Sequence, residues 1–111
     1  MTTIYALQKA EMVGDVLDGT DEWFFQFHSP HATQDSAIAS AVSMLNDIRD
    51  EDIRTMQHLH PIDRYNEADY NILTKELAPS SFMLELVRRC GTDSIPLSQM
   101  VITYSEVLEL V

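Results

Sequence analysis

Residues 33–61 read TQDSAIASAVSMLNDIRDEDIRTMQHLHP, and this stretch carries the clearest structural pattern in the chain. Apolar side chains recur at helical spacing from Ile38 to Ile48, and the same face continues to Leu59. Pro61 cannot continue a helix, because it lacks a backbone N–H and its ring clashes with the preceding turn. The pattern therefore predicts an amphipathic helix that ends before Pro61.

The start and the middle of this helix leave alternatives open. Either Thr33 or Asp35 can cap its N-terminus, since both side chains accept a hydrogen bond from a free backbone N–H. The charged run Arg49-Asp50-Glu51-Asp52 interrupts the apolar stripe. One long helix and two abutting helices both fit this pattern.

A second helix is predicted between Asn66 and Pro79. Asn66 followed by Asp69 is typical of a helix start. Apolar residues then recur at helical spacing, and they are Tyr70, Leu73 and Leu77. Pro79 ends the segment.

Two more helices are predicted in the C-terminal third of the chain. One runs from Ser80 or Ser81 to Cys90, with Gly91 as a left-handed C-terminal cap. The other follows Pro96, where apolar residues match the helical template at Leu97, Met100, Val101, Tyr104, Leu108 and Val111. The β-branched run Val101-Ile102-Thr103 keeps a C-terminal strand as the alternative.

The N-terminal segment favours β structure. Trp23, Phe24, Phe25 and Phe27 fall within five positions, a composition that favours a strand. The turn signal Asp18-Gly19 precedes them, so we expect a hairpin with residues 4–7 or 12–17 as the partner strand. Since successive strand side chains alternate faces, Trp23, Phe24 and Phe25 cannot all point inward, so at least one should be exposed, covered by another element or used at an interface. A short helix capped by Thr20 is the alternative.

Together these patterns predict an α+β fold that is mainly helical. Three or four helices would pack on a small N-terminal β-hairpin or sheet, in one compact domain spanning residues 1–111. An all-α fold is the alternative. A 45% apolar content is enough for a core and too high for a disordered acidic tail.

The charge balance is the most unusual property of the composition. The 111 residues include eighteen Asp and Glu and seven Lys and Arg, which gives a formal charge of −11. Direct binding to nucleic acid is disfavoured, because phosphates are neutralised by clustered Lys and Arg. Binding to an anionic membrane surface is disfavoured for the same reason. A basic surface on another protein is the natural electrostatic complement, although acidity can also serve solubility alone.

Cys90 is the one cysteine, which excludes an internal disulfide and fits a reducing compartment. The N-terminus lacks the basic and apolar regions of a signal peptide. We therefore expect a soluble, cytoplasmic protein. The helical pattern also places Cys90 on the buried face with Phe82 and Leu86, as a small core residue.

No motif predicts an enzyme or a cofactor. The four histidines form two pairs, His28/His31 and His58/His60, and imidazoles close in sequence can share a metal ion. A small His-based metal-binding protein, a sensor or a metal-dependent enzyme, is therefore one alternative. A structural subunit that forms a homodimer is another, because an apolar C-terminus needs a docking surface.

The acidic groups are the remaining candidates for function. We expect a non-enzymatic interaction module, most simply a small inhibitor that occludes a basic, nucleic-acid-handling surface of a larger protein. Small size, acidity and the lack of catalytic motifs suit the inhibitors that phages and mobile elements direct at nucleases and defence complexes, some of which mimic DNA, as anti-CRISPR proteins do. The expected partner-binding residues are Asp47, Asp50, Glu51, Asp52, Asp63, Glu67 and Asp69.

Overall fold

A computed structural model describes residues 2–13, 22–78 and 81–107, with side chains for 4–10, 25–77 and 81–104. The elements are β1 (Thr2–Val13), β2 (Glu22–His31), α1 (Gln34–Leu59), a short 3₁₀ turn (Glu67–Asp69), β3 (Tyr70–Ala78), β4 (Ser81–Cys90) and β5 (Asp93–Val107). The strands form one antiparallel sheet in the order β2-β1-β5-β4-β3. Strands β2 and β3 are therefore the edges, and α1 connects one edge to the other.

Helix α1 is a single helix of 26 residues, so the charged run in its middle does not divide it. The Thr33 hydroxyl caps it by accepting a hydrogen bond from the Ser36 N–H at 3.1 Å. The His60 N–H donates to the Met56 carbonyl at 2.8 Å and closes the last turn. Among the described residues, no helix is both long enough and apolar enough to cross a membrane.

The core lies between α1 and one face of the sheet. Ala37, Ala41 and Leu45 follow one another at four-residue intervals, and all three are fully buried. Their spacing places them on one side of the helix, and the two small alanines let the backbone approach the strands closely. The sheet contributes five well-buried apolar side chains, which are Leu7, Leu84, Leu86, Met100 and Ile102.

The predicted fold class is wrong, because the sheet dominates and α1 is the one α-helix of the described chain. The segments predicted as helices at 66–79, 80–91 and 97–111 form β3, β4 and β5, as far as they are described. Apolar residues occur on both faces of these strands, so apolar positions at helical spacing arise without a helix. Tyr70 and Leu73 show this: their β4 partners, Arg88 and Glu85, lie on opposite faces of the sheet.

The N-terminal hairpin is present, although it belongs to a larger sheet than predicted. Strand β1 pairs with β2 from Tyr5 opposite His31 to Val13 opposite Glu22. Phe25 and Phe27 are both exposed, which confirms that at least one of the clustered aromatic residues is exposed, whereas the side chains of Trp23 and Phe24 lie outside the described ones. The Asp18-Gly19 turn and the Thr20 cap lie outside the described residues. The predicted C-terminal strand, the alternative to a helix, is β5.

Gly91 has the predicted left-handed backbone, with φ of 64°, but it begins a two-residue turn between β4 and β5. A glycine at the first position of such a turn matches the right-handed twist of a hairpin. Cys90 precedes it and is exposed, so its predicted core position is wrong. Cys90 is the last residue of β4, next to the turn, and its side chain is left open to solvent there.

The helix–sheet packing can be tested with two leucines of α1. Leu45→Ala removes a side chain that is 0% exposed, and we expect a loss of about 2–5 kcal/mol in the free energy of unfolding. Leu59→Ala makes the same chemical change at a position that is 62% exposed, and it should cost less than about 1 kcal/mol. Urea denaturation followed by circular dichroism measures both. Equal costs would contradict the described core.

Candidate functional site

The seven predicted partner-binding acids fall on α1 and on the connection from α1 to β3. In the structure they divide into two groups according to whether another side chain of the protein already engages the carboxylate. The engaged acids are Asp50, Asp52, Glu67 and Asp69. Within the described part of the chain, the carboxylates of Asp47, Glu51 and Asp63 have no hydrogen-bond or ion-pair partner, and all three residues are exposed.

Asp52 holds α1 to the sheet. It follows Leu45 by seven residues, two helical turns, and therefore lies on the same side of the helix. Its carboxylate accepts a hydrogen bond from the Tyr70 hydroxyl at 2.6 Å and forms an ion pair with Arg88 at 2.5 Å. The Asp52 and Arg88 side chains are only 21% and 14% exposed. This carboxylate therefore joins α1 to β3 and β4.

The surroundings of Asp52 change the proton affinity of both its partners. Burial and the hydrogen bond to the Asp52 carboxylate raise the pKa of Tyr70 well above its usual range. Burial lowers the pKa of Arg88, but the hydrogen bond and attraction to Asp52 outweigh it and leave that pKa raised. Tyr70 therefore stays neutral and Arg88 stays charged over a wide pH range.

Asp69 has a local structural role. Its carboxylate accepts a hydrogen bond from the Asn66 N–H at 3.1 Å, while the Asn66 side chain accepts from the Ala68 N–H at 2.8 Å. This reciprocal capping confirms the helix-start signal seen in the sequence, but it begins only the 3₁₀ turn before β3. Arg89 also forms an ion pair with Asp69 at 3.1 Å.

Arg49 neutralises part of the remaining acidic surface. Its guanidinium lies 3.0 Å from the Asp50 carboxylate and 3.4 Å from that of Glu67. It also donates to the Asn46 side chain at 3.2 Å. These contacts connect α1 to the 3₁₀ turn, and they leave Asp50 and Glu67 exposed to solvent on their outer sides.

A shallow groove of about 530 Å³ lies on the surface of the N-terminal half of α1, and its described lining residues all belong to that helix. Partly buried Ile38 and Val42 give it an apolar floor, and Asp35 and Asp47 line it as well. These two acids are twelve residues apart, about 18 Å along a helix. Asp35 was not among the predicted contacts, although its position in the first turn of the helix, three residues before Ile38, was the available signal.

The two histidine pairs do not meet. A chain of hydrogen bonds joins His28 Nδ1 to Ser29 Oγ (3.0 Å), Ser29 Oγ to His31 Nε2 (2.8 Å) and His31 Nδ1 to Ser36 Oγ (2.9 Å). This chain connects β2 to the first turn of α1, whereas His58 lies in the last turn of the same helix. No three His, Cys, Asp or Glu side chains in the described ranges are placed to hold a metal ion.

Comparison of the chain with protein-family models, with curated proteins and with solved structures finds no match. The charges and contacts of its own side chains are therefore the observations that bear on its function.

The role of Asp52 can be tested against an exposed acid on the same helix. Asp52→Asn leaves the buried Arg88 guanidinium without a charged partner, and we expect it to destabilise the protein by about 1–3 kcal/mol, somewhat less than for a fully buried pair. Asp47→Asn is the matched control and should change stability by less than about 0.5 kcal/mol. Chemical denaturation at neutral pH measures the difference. A neutral effect of Asp52→Asn would refute the structural role of this carboxylate.

Tyr70 makes a separate prediction about pH. An unfolded tyrosine ionises near pH 10, whereas folded Tyr70 keeps its proton at higher pH. Above about pH 10 the unfolded state binds fewer protons than the folded state, so raising the pH destabilises the fold. Tyr70→Phe removes the hydrogen bond and the titrating hydroxyl, and it should lower the free energy of unfolding by about 1–2 kcal/mol at neutral pH.

This difference in the free energy of unfolding between wild type and variant should shrink when chemical denaturation is repeated above about pH 10. A constant difference would contradict the raised pKa.

Proposed function

We propose that this protein is a non-enzymatic interaction module whose acidic helix binds a basic, nucleic-acid-handling surface of a larger protein and blocks it. The observation that carries the proposal is the set of exposed, unpaired carboxylates on and beside α1. Asp47 and Glu51 are one helical turn apart, and Asp63 lies in the connection that follows the helix. Each is exposed to solvent and lacks an ion-pair partner among the described side chains.

Unpaired carboxylates are the ones that a basic partner can use. Binding Lys or Arg at Asp47 or Glu51 forms a new ion pair without breaking one inside the protein. By contrast, binding at Asp52 or Asp69 would compete with Arg88 or Arg89. We therefore assign the main contacts to Asp47, Glu51 and Asp63. Asp50 and Glu67 contribute weaker contacts because they share Arg49.

The groove beside α1 supplies a place for an apolar anchor. Ile38 and Val42 can contact one apolar side chain of the partner, while Asp35 and Asp47 can face basic residues on either side of it. Interfaces of this kind gain affinity from the desolvated centre and gain association rate from the surrounding charges. The partner surface that fits combines an exposed apolar side chain with flanking Lys or Arg.

The formal charge of −11 supports fast, electrostatically steered association with such a partner. A surface that normally binds phosphates is basic by necessity, so an acidic helix competes with nucleic acid for it. This chemistry fits a cytoplasmic inhibitor of the kind that phages and mobile elements direct at nucleases and defence complexes, and that class of inhibitor is what we propose.

The test compares two variants that change the net charge equally. Asp47→Lys with Glu51→Lys reverses the proposed contacts, whereas Glu76→Lys with Asp93→Lys reverses two exposed acids on β3 and at the start of β5. Each immobilised protein is incubated with a lysate of the native host, and the retained proteins are identified by mass spectrometry. The purified target is then titrated against each variant.

We expect the α1 variant to bind its target at least tenfold more weakly than the control variant. Binding of the wild type should weaken between about 0.05 and 0.3 M salt, because the contacts are exposed ion pairs. Nucleic acid should displace the protein from the target. Equal losses in both variants would mean that net charge alone matters, and salt-insensitive binding would exclude the acidic interface.

A further inference from the structure

The sheet has a second face, opposite the one that α1 covers. Directly paired residues share a face in an antiparallel sheet, and the pairing of Leu7 with Ile102 marks the covered face. The neighbouring pairs Gln8–Phe27 and Gln8–Val101 lie on the other face, which we call the open face. Its described side chains include Ala10, Phe25, Phe27, Leu73, Met83 and Val101.

The exposed apolar side chains of the open face lie on its two edge strands. Phe25 and Phe27 on the edge strand β2 are 41% and 61% exposed, and Leu73 on the opposite edge strand is 49% exposed. Between them, Ala10 and Val101 are small side chains only 4% and 6% exposed. No helix or strand of the described part of the chain packs on this face.

The charge of the open face is balanced, unlike that of the whole chain. By strand alternation, its described charged residues are Lys75, Glu85 and Arg89, and Asp69 of the preceding 3₁₀ turn joins them through its ion pair with Arg89. Asp69 and Arg89 form an ion pair, and Glu85 accepts a hydrogen bond from Gln99 at 2.5 Å. The chain as a whole carries −11, so this is the described surface where a second, equally acidic copy can approach with the least repulsion.

The size of the open face suits a dimer. Five strands at about 4.8 Å spacing and about ten residues each at about 3.4 Å give roughly 20 × 34 Å, or about 700 Å². A stable interface buries about 800 Å² on each partner. A sheet face can be covered by the face of a second sheet, since two sheets stack about 10 Å apart with interleaved side chains.

We propose that the open face binds the open face of a second copy, which forms a symmetric homodimer with the two sheets stacked and the two α1 helices outside. The same patch serves both subunits, as a two-fold interface requires. Phe25, Phe27 and Leu73 become buried. The free carboxylates of α1 remain exposed on the two outer surfaces, so dimerisation does not compete with the acidic interface.

Sedimentation equilibrium from about 1 to about 300 µM tests the proposal, a range that covers micromolar dissociation constants. We expect a dimer that tightens from about 0.05 to about 0.5 M salt, because screening reduces repulsion between the two acidic subunits. Phe27→Asp and Leu73→Asp, on opposite edges of the sheet, should each weaken the dimer at least tenfold. Ile62→Asp is the matched control, since Ile62 is 96% exposed in the connection after α1, and it should leave the dimer unchanged.

A wild type that is monomeric throughout this range would overturn the proposal, as would a dimer that Ile62→Asp weakens as much as Phe27→Asp. Circular dichroism of each variant separates loss of the dimer from loss of the fold. Asp47→Lys with Glu51→Lys should leave the dimer intact. The dimer and the acidic interface can therefore fail independently, and their affinities respond to salt in opposite directions.

Discussion

One helix must cover a five-stranded sheet, and the contact between α1 and the strands is the constraint on which the rest of the structure depends. The stripe Ala37–Ala41–Leu45 brings the helix close to Leu7, Met100 and Ile102 in the centre of the sheet. Two turns beyond Leu45 the same stripe carries Asp52, whose ion pair with Arg88 fixes where the helix lies along β4. An apolar contact alone would allow the helix to slide, whereas a directional pair with one partner does not.

The contact between α1 and the sheet divides the acidic residues of the helix into those on its inner side and those on its outer side. A carboxylate on the inner side of α1 must have a partner, because an unpaired buried charge is costly. Asp52 meets that requirement with Arg88 and Tyr70. The outer side has no such requirement, so Asp47 and Glu51 stay free. The negative charge of the protein is therefore not uniform in its availability. Carboxylates that already have a partner are occupied, and the unpaired ones are available for binding.

The sequence predicted α1 well because its pattern is long and its boundaries are marked by Thr33 and Pro61. It predicted β3 to β5 poorly because helical spacing and two-faced strands give similar apolar patterns over short runs. Leu84, Leu86 and Val87 are all buried in β4, and that pattern does not alternate strictly. The role of Asp52 could not be predicted either, since Arg88 lies 36 residues further along the chain and meets Asp52 only once the sheet has formed.

The two surfaces of the protein are separated by its layered fold. The helix carries charge outward, and the sheet turns a balanced, partly apolar face the other way. Had the acids been spread over both layers, repulsion would oppose any self-association. Because α1 stands between the sheet and the acidic surface, stacking of the open faces would bring two acidic helices into one particle without bringing their charges together. A single sheet covered on one side thus separates a charge-dependent surface from an apolar one.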